Sequence, residues 1–205
     1  VVEGERYVRA GKWKTWGPSL LLGADFVGAT LGIVGFGRIG KTMARRASGF
    51  DMRVIYFDPL TPPDPALNAQ SVDMETLLAE SDFVSLHTPL LPETHHLMNA
   101  ETFAKMKPNA ILVNTSRGQI VDPQALYEAL KSGQIAAAAL DVTEPEPIPM
   151  DSPLFSLENL IIVPHIASAS TTTRDKMSLM AAANLIAGLK GERLPTCVNP
   201  EVYDR

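Results

Sequence analysis

Three residues far apart in the chain carry side chains whose combined chemistry is specific. Arg117 stands in Asn114-Thr115-Ser116-Arg117-Gly118, Glu146 lies five residues after Asp141, and His165 follows Pro164 directly. A guanidinium is a planar fork that can grip a carboxylate and a neighbouring carbonyl oxygen through parallel hydrogen bonds. An imidazole is a proton donor suited to neutral pH, and a nearby carboxylate favours its protonated form. Reduction of a 2-oxo acid needs these three roles: a cation for the substrate carboxylate, a proton for the carbonyl oxygen, and an acid behind the proton donor. Each residue alone also has an ordinary reading, as an ion-pair partner, a solvated loop acid or a structural histidine. Their shared placement just beyond apolar runs favours chemistry.

A source of reducing equivalents is written elsewhere. Gly35-Phe36-Gly37-Arg38-Ile39-Gly40 follows the apolar run Leu31-Gly32-Ile33-Val34 and opens a helical pattern. The first glycine permits a tight turn, the second lets the backbone approach a pyrophosphate, and the third lets the helix pack close to the strand. The helix N-terminus offers free N–H groups and positive potential. Asp58 comes twenty-three residues after Gly35, at the end of the next apolar run, where an acid receives ribose hydroxyls. Its other reading is a turn acid capping the segment at Pro59. A 2′-phosphate would meet a like charge at Asp58, and no Arg or Lys occurs from Tyr56 through Glu75 to offset it. The expectation is NAD, with NADH preferred over NADPH.

These residues need a scaffold that gathers strand ends. Short, nearly continuous apolar runs predict strands at Thr30–Val34, Arg53–Phe57, Phe83–Leu86, Ala110–Asn114, Ile135–Leu140 and Leu160–Val163. Helical patterns between them cover Arg38–Ser48, Met74–Glu80, Glu101–Lys105 and Pro123–Lys131. The last is opened by Asp122 with Pro123 at its first position and closed by Gly133. Alternating strands and helices with right-handed crossovers imply an α/β fold, a doubly wound, Rossmann-like parallel sheet that binds ligands at the carboxyl ends of its strands. Val1 to about Gly11 reads as the tail of a helix leading to Trp13 and Trp16. Thr172–Lys190 reads as a long amphipathic helix whose Met177 and Met180 serve core or interface packing. Residues 1–22 are expected to form a connecting arm, 23–170 the dinucleotide-binding domain, and 171–205 a return helix and tail.

Composition narrows the partners. The 205 residues are 45% hydrophobic and 20% charged, enough apolar content for a packed core and too much for a disordered chain. A net charge of −5 without a basic cluster argues against nucleic acid and anionic lipid. No apolar run approaches the ~20 residues that span a bilayer. The single cysteine, Cys197, cannot close an internal disulfide, so a reducing, cytoplasmic setting is expected. His95-His96 sits in a polar loop without an acid at ligand spacing and reads as surface, so no metal site is expected. His87 closes a strand and is expected to line the adenine side, with a structural cap as the alternative. The absence of an initiating Met and the abrupt start suggest a piece of a longer protein.

The motifs GFGRIG with Asp58, SLHTPLLPET, ILVNTSRGQIVD, AALDVTEPEP and IIVPHIASAS, in this order, resemble the D-isomer-specific 2-hydroxyacid dehydrogenases along essentially the whole chain. Within that family, the TWGP segment, EPEPIPMDSPLFSLENLIIVPHI and MSLMAAANLIAGLKGE look most like glyoxylate and hydroxypyruvate reductases. The resemblance implies that Arg117 holds substrate, His165 donates the proton, Glu146 pairs with His165, and Asp141 bonds the nicotinamide carboxamide. It also implies a homodimer and a split substrate domain, of which an N-terminal part of roughly a hundred residues would be absent here. The expected cofactor-contacting set is Gly35, Gly37, Arg38, Ile39, Gly40, Asp58, His87, Thr88, Pro89, Thr94, Thr115, Ser116, Arg117, Asp141 and His165. The competing reading is a dimeric NAD-binding, corepressor-like interaction protein, since such relatives keep the same glycines and the Arg, Glu and His.

Overall fold

The structure, a computed structural model, describes residues 2–204. Seven strands form one parallel sheet: β1 (Thr30–Val34), β2 (Arg53–Phe57), β3 (Ala69–Ser71), β4 (Phe83–Leu86), β5 (Ile111–Asn114), β6 (Ala137–Leu140) and β7 (Leu160–Ile162). Their spatial order is β3-β2-β1-β4-β5-β6-β7, and every neighbouring pair is parallel. The order reverses between β1 and β4, which makes the crevice at their carboxyl ends the topological switch point where such sheets bind ligands. All five residues of β1 are buried, as a strand covered on both faces requires.

Helices α2 (Arg38–Ala47), α3 (Met74–Glu80), α4 (Ala100–Ala104) and α5 (Pro123–Ser132) supply the crossovers. Local chemistry fixes their ends. Asp73 accepts the Thr76 N–H to open α3, and Asn99 with Thr102 forms a reciprocal capping box on α4. Asp122 accepts from Gln124 and Ala125 ahead of Pro123, and α5 stops at Gly133, whose φ of +75° suits glycine. The main core joins Leu77, Leu78, Leu86, Leu112, Leu126 and their neighbours, and a second cluster gathers around Ile33, Phe36 and Tyr56.

The structure departs from the sequence-based expectation at several points. The apolar pattern gives no sign of β3, because Ala69-Gln70-Ser71 is a short, solvent-facing edge strand without an apolar run. β6 begins at Ala137 rather than Ile135, β5 at Ile111 rather than Ala110, and β7 stops at Ile162. Helices α1 (Val2–Arg9) and α6 (Thr171–Leu189) lie at the two ends. Within α6 only Ala187 is buried. Its exposed Met177, Leu179, Met180, Leu185, Ile186 and Leu189 occupy more than one face, so the helix is broadly apolar rather than cleanly amphipathic. Among the described residues, no helix is long and apolar enough to cross a membrane.

Candidate functional site

Each strand from β1 outward delivers a turn to the same carboxyl edge of the sheet. At the switch point, Gly35 adopts φ +91°, and a Cβ there would fall 2.7 Å from the His87 carbonyl carbon and the Thr88 nitrogen. The turn after β1 and the chain leaving β4 therefore touch backbone to backbone, and the His87 N–H donates to Val34 O at 2.7 Å. A Cβ on Gly40 would lie 2.2 Å from Gly35 O, so this glycine lets α2 start directly against the turn. Gly37 differs, with open space where its side chain would be. It is also the N-cap of α2 and supplies no capping side chain, and the first turn of α2 carries no acid. The free amides at this end, with Arg38 and Ile39 exposed beside them, form a cradle that fits a pyrophosphate.

Asp58 fills the turn-capping role that the sequence allowed and does so beside the cradle. One carboxylate oxygen accepts the Leu60 and Thr61 N–H groups, each at 2.9 Å, and the other accepts the Phe36 N–H at 2.7 Å. Burial alone would push its pKa up, but the N–H groups of Phe36, Leu60 and Thr61 outweigh it and hold the carboxyl below its ordinary value. The acid thus stays ionised next to the glycine turn. Fit to a dinucleotide rests on this anion next to the cradle, with Lys41 of α2 engaged by Asp64 at 3.3 Å.

At the other half of the edge, His165 Nδ1 donates to Glu146 Oε1 at 2.8 Å. A carboxylate can only accept, which assigns the proton to Nδ1 and leaves Nε2 without a partner among the described residues. His165 has φ +54°, a left-handed conformation unusual for a side chain with Cβ. Asp141 holds that turn. The Asp141 carbonyl accepts the His165 N–H at 2.9 Å, and its carboxylate accepts Ile166 N–H at 2.6 Å and Ala167 N–H at 3.0 Å. Each oxygen of the buried Asp141 carboxylate thus makes one contact to backbone, a positioning role that the sequence did not reveal. Asp141, Glu146 and His165 line a cleft of about 360 Å³ floored by Ile162 and Val163. A larger hollow of about 440 Å³ between α4 and α5 contains none of the expected site residues.

Arg117 is exposed at the end of β5, its guanidinium donating to Ser116 O at 2.7 Å and making no ion pair with Glu146 or His165 among the described residues. Asn114, fully buried, shapes its turn: Nδ2 donates to Arg117 O at 2.8 Å, and Oδ1 accepts from the Ser116 N–H and hydroxyl. Gly118 completes it, because a Cβ there would lie 1.9 Å from Thr143 O. Thr115 is exposed on the same turn. In the loop after β4, Thr94 Oγ1 donates to Pro89 O and accepts the Leu91 N–H, which makes it a loop staple, and the Thr88 hydroxyl donates to Pro89 O at 3.4 Å. His87 bonds Ser85 Oγ at 2.9 Å, and burial pushes its pKa below the ordinary imidazole value.

One expectation needs correction. The His95-His96 pair does have an acid, delivered from another strand end: His96 Nε2 donates to Glu144 Oε2 at 2.6 Å, and His95 Nε2 lies 3.9 Å from Glu144 Oε1. Sequence spacing could not show this, since the partners are 48 residues apart.

Comparisons with known proteins agree with this architecture. The chain is 57% identical over 205 residues to a glyoxylate reductase of Korarchaeum cryptofilum, a match spanning 98% of this chain and 62% of that protein. The crystal structure of the TT0316 protein from Thermus thermophilus superposes with a TM-score of 0.91 at 52% identity, covering 96% of this chain and 62% of that one. An acyclic imino acid reductase solved with NADPH and D-Arg follows at a TM-score of 0.85 and 29% identity, covering 96% of this chain and 62% of its own. The chain thus spans about 62% of the length of the curated relatives it matches. Residues 1–167 match the family described as D-isomer specific 2-hydroxyacid dehydrogenase, NAD binding domain. With the glycine cradle, the switch-point crevice and this match in agreement, the chain belongs to the NAD-binding domain family of the D-isomer-specific 2-hydroxyacid dehydrogenases.

Proposed function

We propose that these residues are the dinucleotide-binding part of an NADH-dependent reductase of a small 2-oxo acid, glyoxylate first and hydroxypyruvate second. The observation that carries the reading is the His165–Glu146 pair at 2.8 Å, set at the carboxyl edge of a sheet whose switch point holds the glycine cradle. Likeness to a glyoxylate reductase at 57% identity supports the substrate class. Bound NADH supplies the hydride. His165 gives a proton to the carbonyl oxygen from Nε2, while Glu146 at Nδ1 orients the ring and stabilises its charged form. Arg117 binds the substrate carboxylate in a planar fork, and Asp141 keeps His165 at the correct angle. Asp58 faces the ribose and disfavours a 2′-phosphate.

Residues 23–170 form the dinucleotide-binding unit in this reading, with 1–22 and 171–205 as arms leading to a substrate domain. The exposed Trp13 and Trp16 and the apolar faces of α6 are the surfaces a homodimer would cover. The single free cysteine suits a cytoplasmic setting. This 205-residue chain alone is expected to bind NADH without reducing 2-oxo acids at a useful rate, because positioning in a closed cleft supplies much of the catalysis. Paired measurements on the purified chain test this: NADH fluorescence should saturate while reduced-nicotinamide absorbance stays flat with glyoxylate. Failure of NADH to bind would refute the reading at its base. Binding combined with inactivity toward every 2-oxo acid, even when the chain is grafted into a relative, would favour the corepressor-like alternative.

A further inference from the structure

We propose that His95, His96 and Glu144 bind a divalent transition-metal ion, zinc foremost, as a clasp between the loop after β4 and the loop after β6. One ligand atom from each residue falls within 4.8 Å of the other two. Zinc bonds of about 2.0–2.1 Å in a tetrahedral arrangement hold neighbouring ligand atoms about 3.3 Å apart. His96 Nε2 lies 2.6 Å from one Glu144 oxygen and His95 Nε2 3.9 Å from the other, so the carboxylate must turn one oxygen toward both imidazoles. With the three ligand atoms all within 4.8 Å of one another, the largest closure needed is about 1.5 Å, which side-chain rotation can supply.

The backbone already aims the donors. Consecutive residues in extended chain point to opposite sides. Here His96 adopts φ +50°, and the two rings instead stack with centroids 4.0 Å apart. That turn is anchored on both flanks: the His96 N–H donates to Gln119 O at 2.8 Å, and its carbonyl accepts Asn99 Nδ2 at 3.1 Å. Glu144 follows the buried Val142 and Thr143, and the Thr143 hydroxyl donates to Pro145 O at 2.8 Å. Contacts that involve no ion therefore set both loops.

The donor set selects the ion class. Two imidazoles and one carboxylate suit zinc, with copper and nickel related choices, whereas magnesium and calcium prefer all-oxygen shells. The three side chains are a third to a half exposed, which leaves a fourth position for water and a path from solvent. The plain alternative is a His96–Glu144 hydrogen bond with His95 as a bystander.

Zinc titration of the chelator-treated 205-residue chain by calorimetry, paired with cobalt absorption spectra, tests the site. The expected result is one zinc per chain, a tetrahedral cobalt spectrum, and affinity weakened about tenfold or more by His95→Gln and by Glu144→Gln. His95 is exposed and its ring makes only the long contact to Glu144 and the stack on His96 among the described residues, so His95→Gln keeps the fold intact. Zinc should raise the thermal midpoint of the unmodified chain more than that of His95→Gln. His165→Gln should leave stoichiometry and affinity unchanged. Absence of saturable zinc binding, binding indifferent to His95→Gln, or binding lost in His165→Gln would overturn the proposal.

Discussion

The Asp58 carboxylate accepts the Phe36 backbone N–H at 2.7 Å, so the acid proposed to face a ribose also ties the end of β2 to the turn after β1. Two like unit charges at 4 Å repel by about 4 kcal/mol at an effective dielectric of 20, and even a fraction of that separates NADH from NADPH strongly. Asp58→Ser should narrow the preference mainly by improving NADPH binding, and it should lower stability because three backbone N–H groups lose their acceptor. Dissociation constants for both dinucleotides, measured by fluorescence on the two proteins, check this. Equal binding of NADH and NADPH by the unmodified chain would contradict it.

The same carboxylate sets an acid limit. Its folded-state pKa lies below the ordinary value of 3.8, so its stabilisation is present above that value and is lost as pH falls through the lower folded value. Asp58→Asn should flatten this part of the stability curve. Urea unfolding midpoints measured in both proteins from about pH 5 downward should draw together as pH falls below 3.8.

His87 acts at a higher pH. Burial lowers its folded pKa from 6.5, so the unfolded chain takes up a proton first. Stability should therefore decline as pH drops below 6.5 and level off once pH passes the lower folded value. His87→Gln should remove that decline while leaving midpoints near pH ~8 little changed apart from a constant offset. An identical slope in the two proteins would mean that His87 does not govern it.

Arg117→Lys should not be conservative, because an ammonium is a point charge and cannot make two parallel hydrogen bonds to a planar acceptor. In an active graft, the change should raise KM for glyoxylate and lower kcat together while leaving NADH binding intact. Near-normal kinetics with Lys would reduce Arg117 to a structural residue of the turn that Asn114 organises.

The parts of this fold that were legible in the sequence are those encoded within a few residues. The run Thr30–Val34 into Gly35, Gly37 and Gly40 specifies strand, turn and helix locally, and Asp122-Pro123 with Gly133 marks both ends of α5. β3 escaped because an exposed edge strand needs no apolar residues. The site was legible only as separate strand ends: Asp141, Glu146 and His165 could be named, but not the bonds by which the Asp141 carboxylate shapes the His165 turn and the Asn114 side chain shapes the Arg117 turn. Those contacts, like His96 with Glu144, depend on which strands lie side by side, and that information arises only when the sheet assembles.

The most direct measurement replaces the matching part of the Korarchaeum glyoxylate reductase with these 205 residues and follows glyoxylate-dependent oxidation of NADH, with and without His165→Ala. The account predicts turnover by the graft, a fall in kcat of about 10²–10⁴-fold on removing the imidazole, and NADH affinity nearly unchanged. Undiminished turnover in His165→Ala would contradict the proton-donor assignment, and a graft that binds NADH yet reduces no 2-oxo acid would contradict the proposed activity itself.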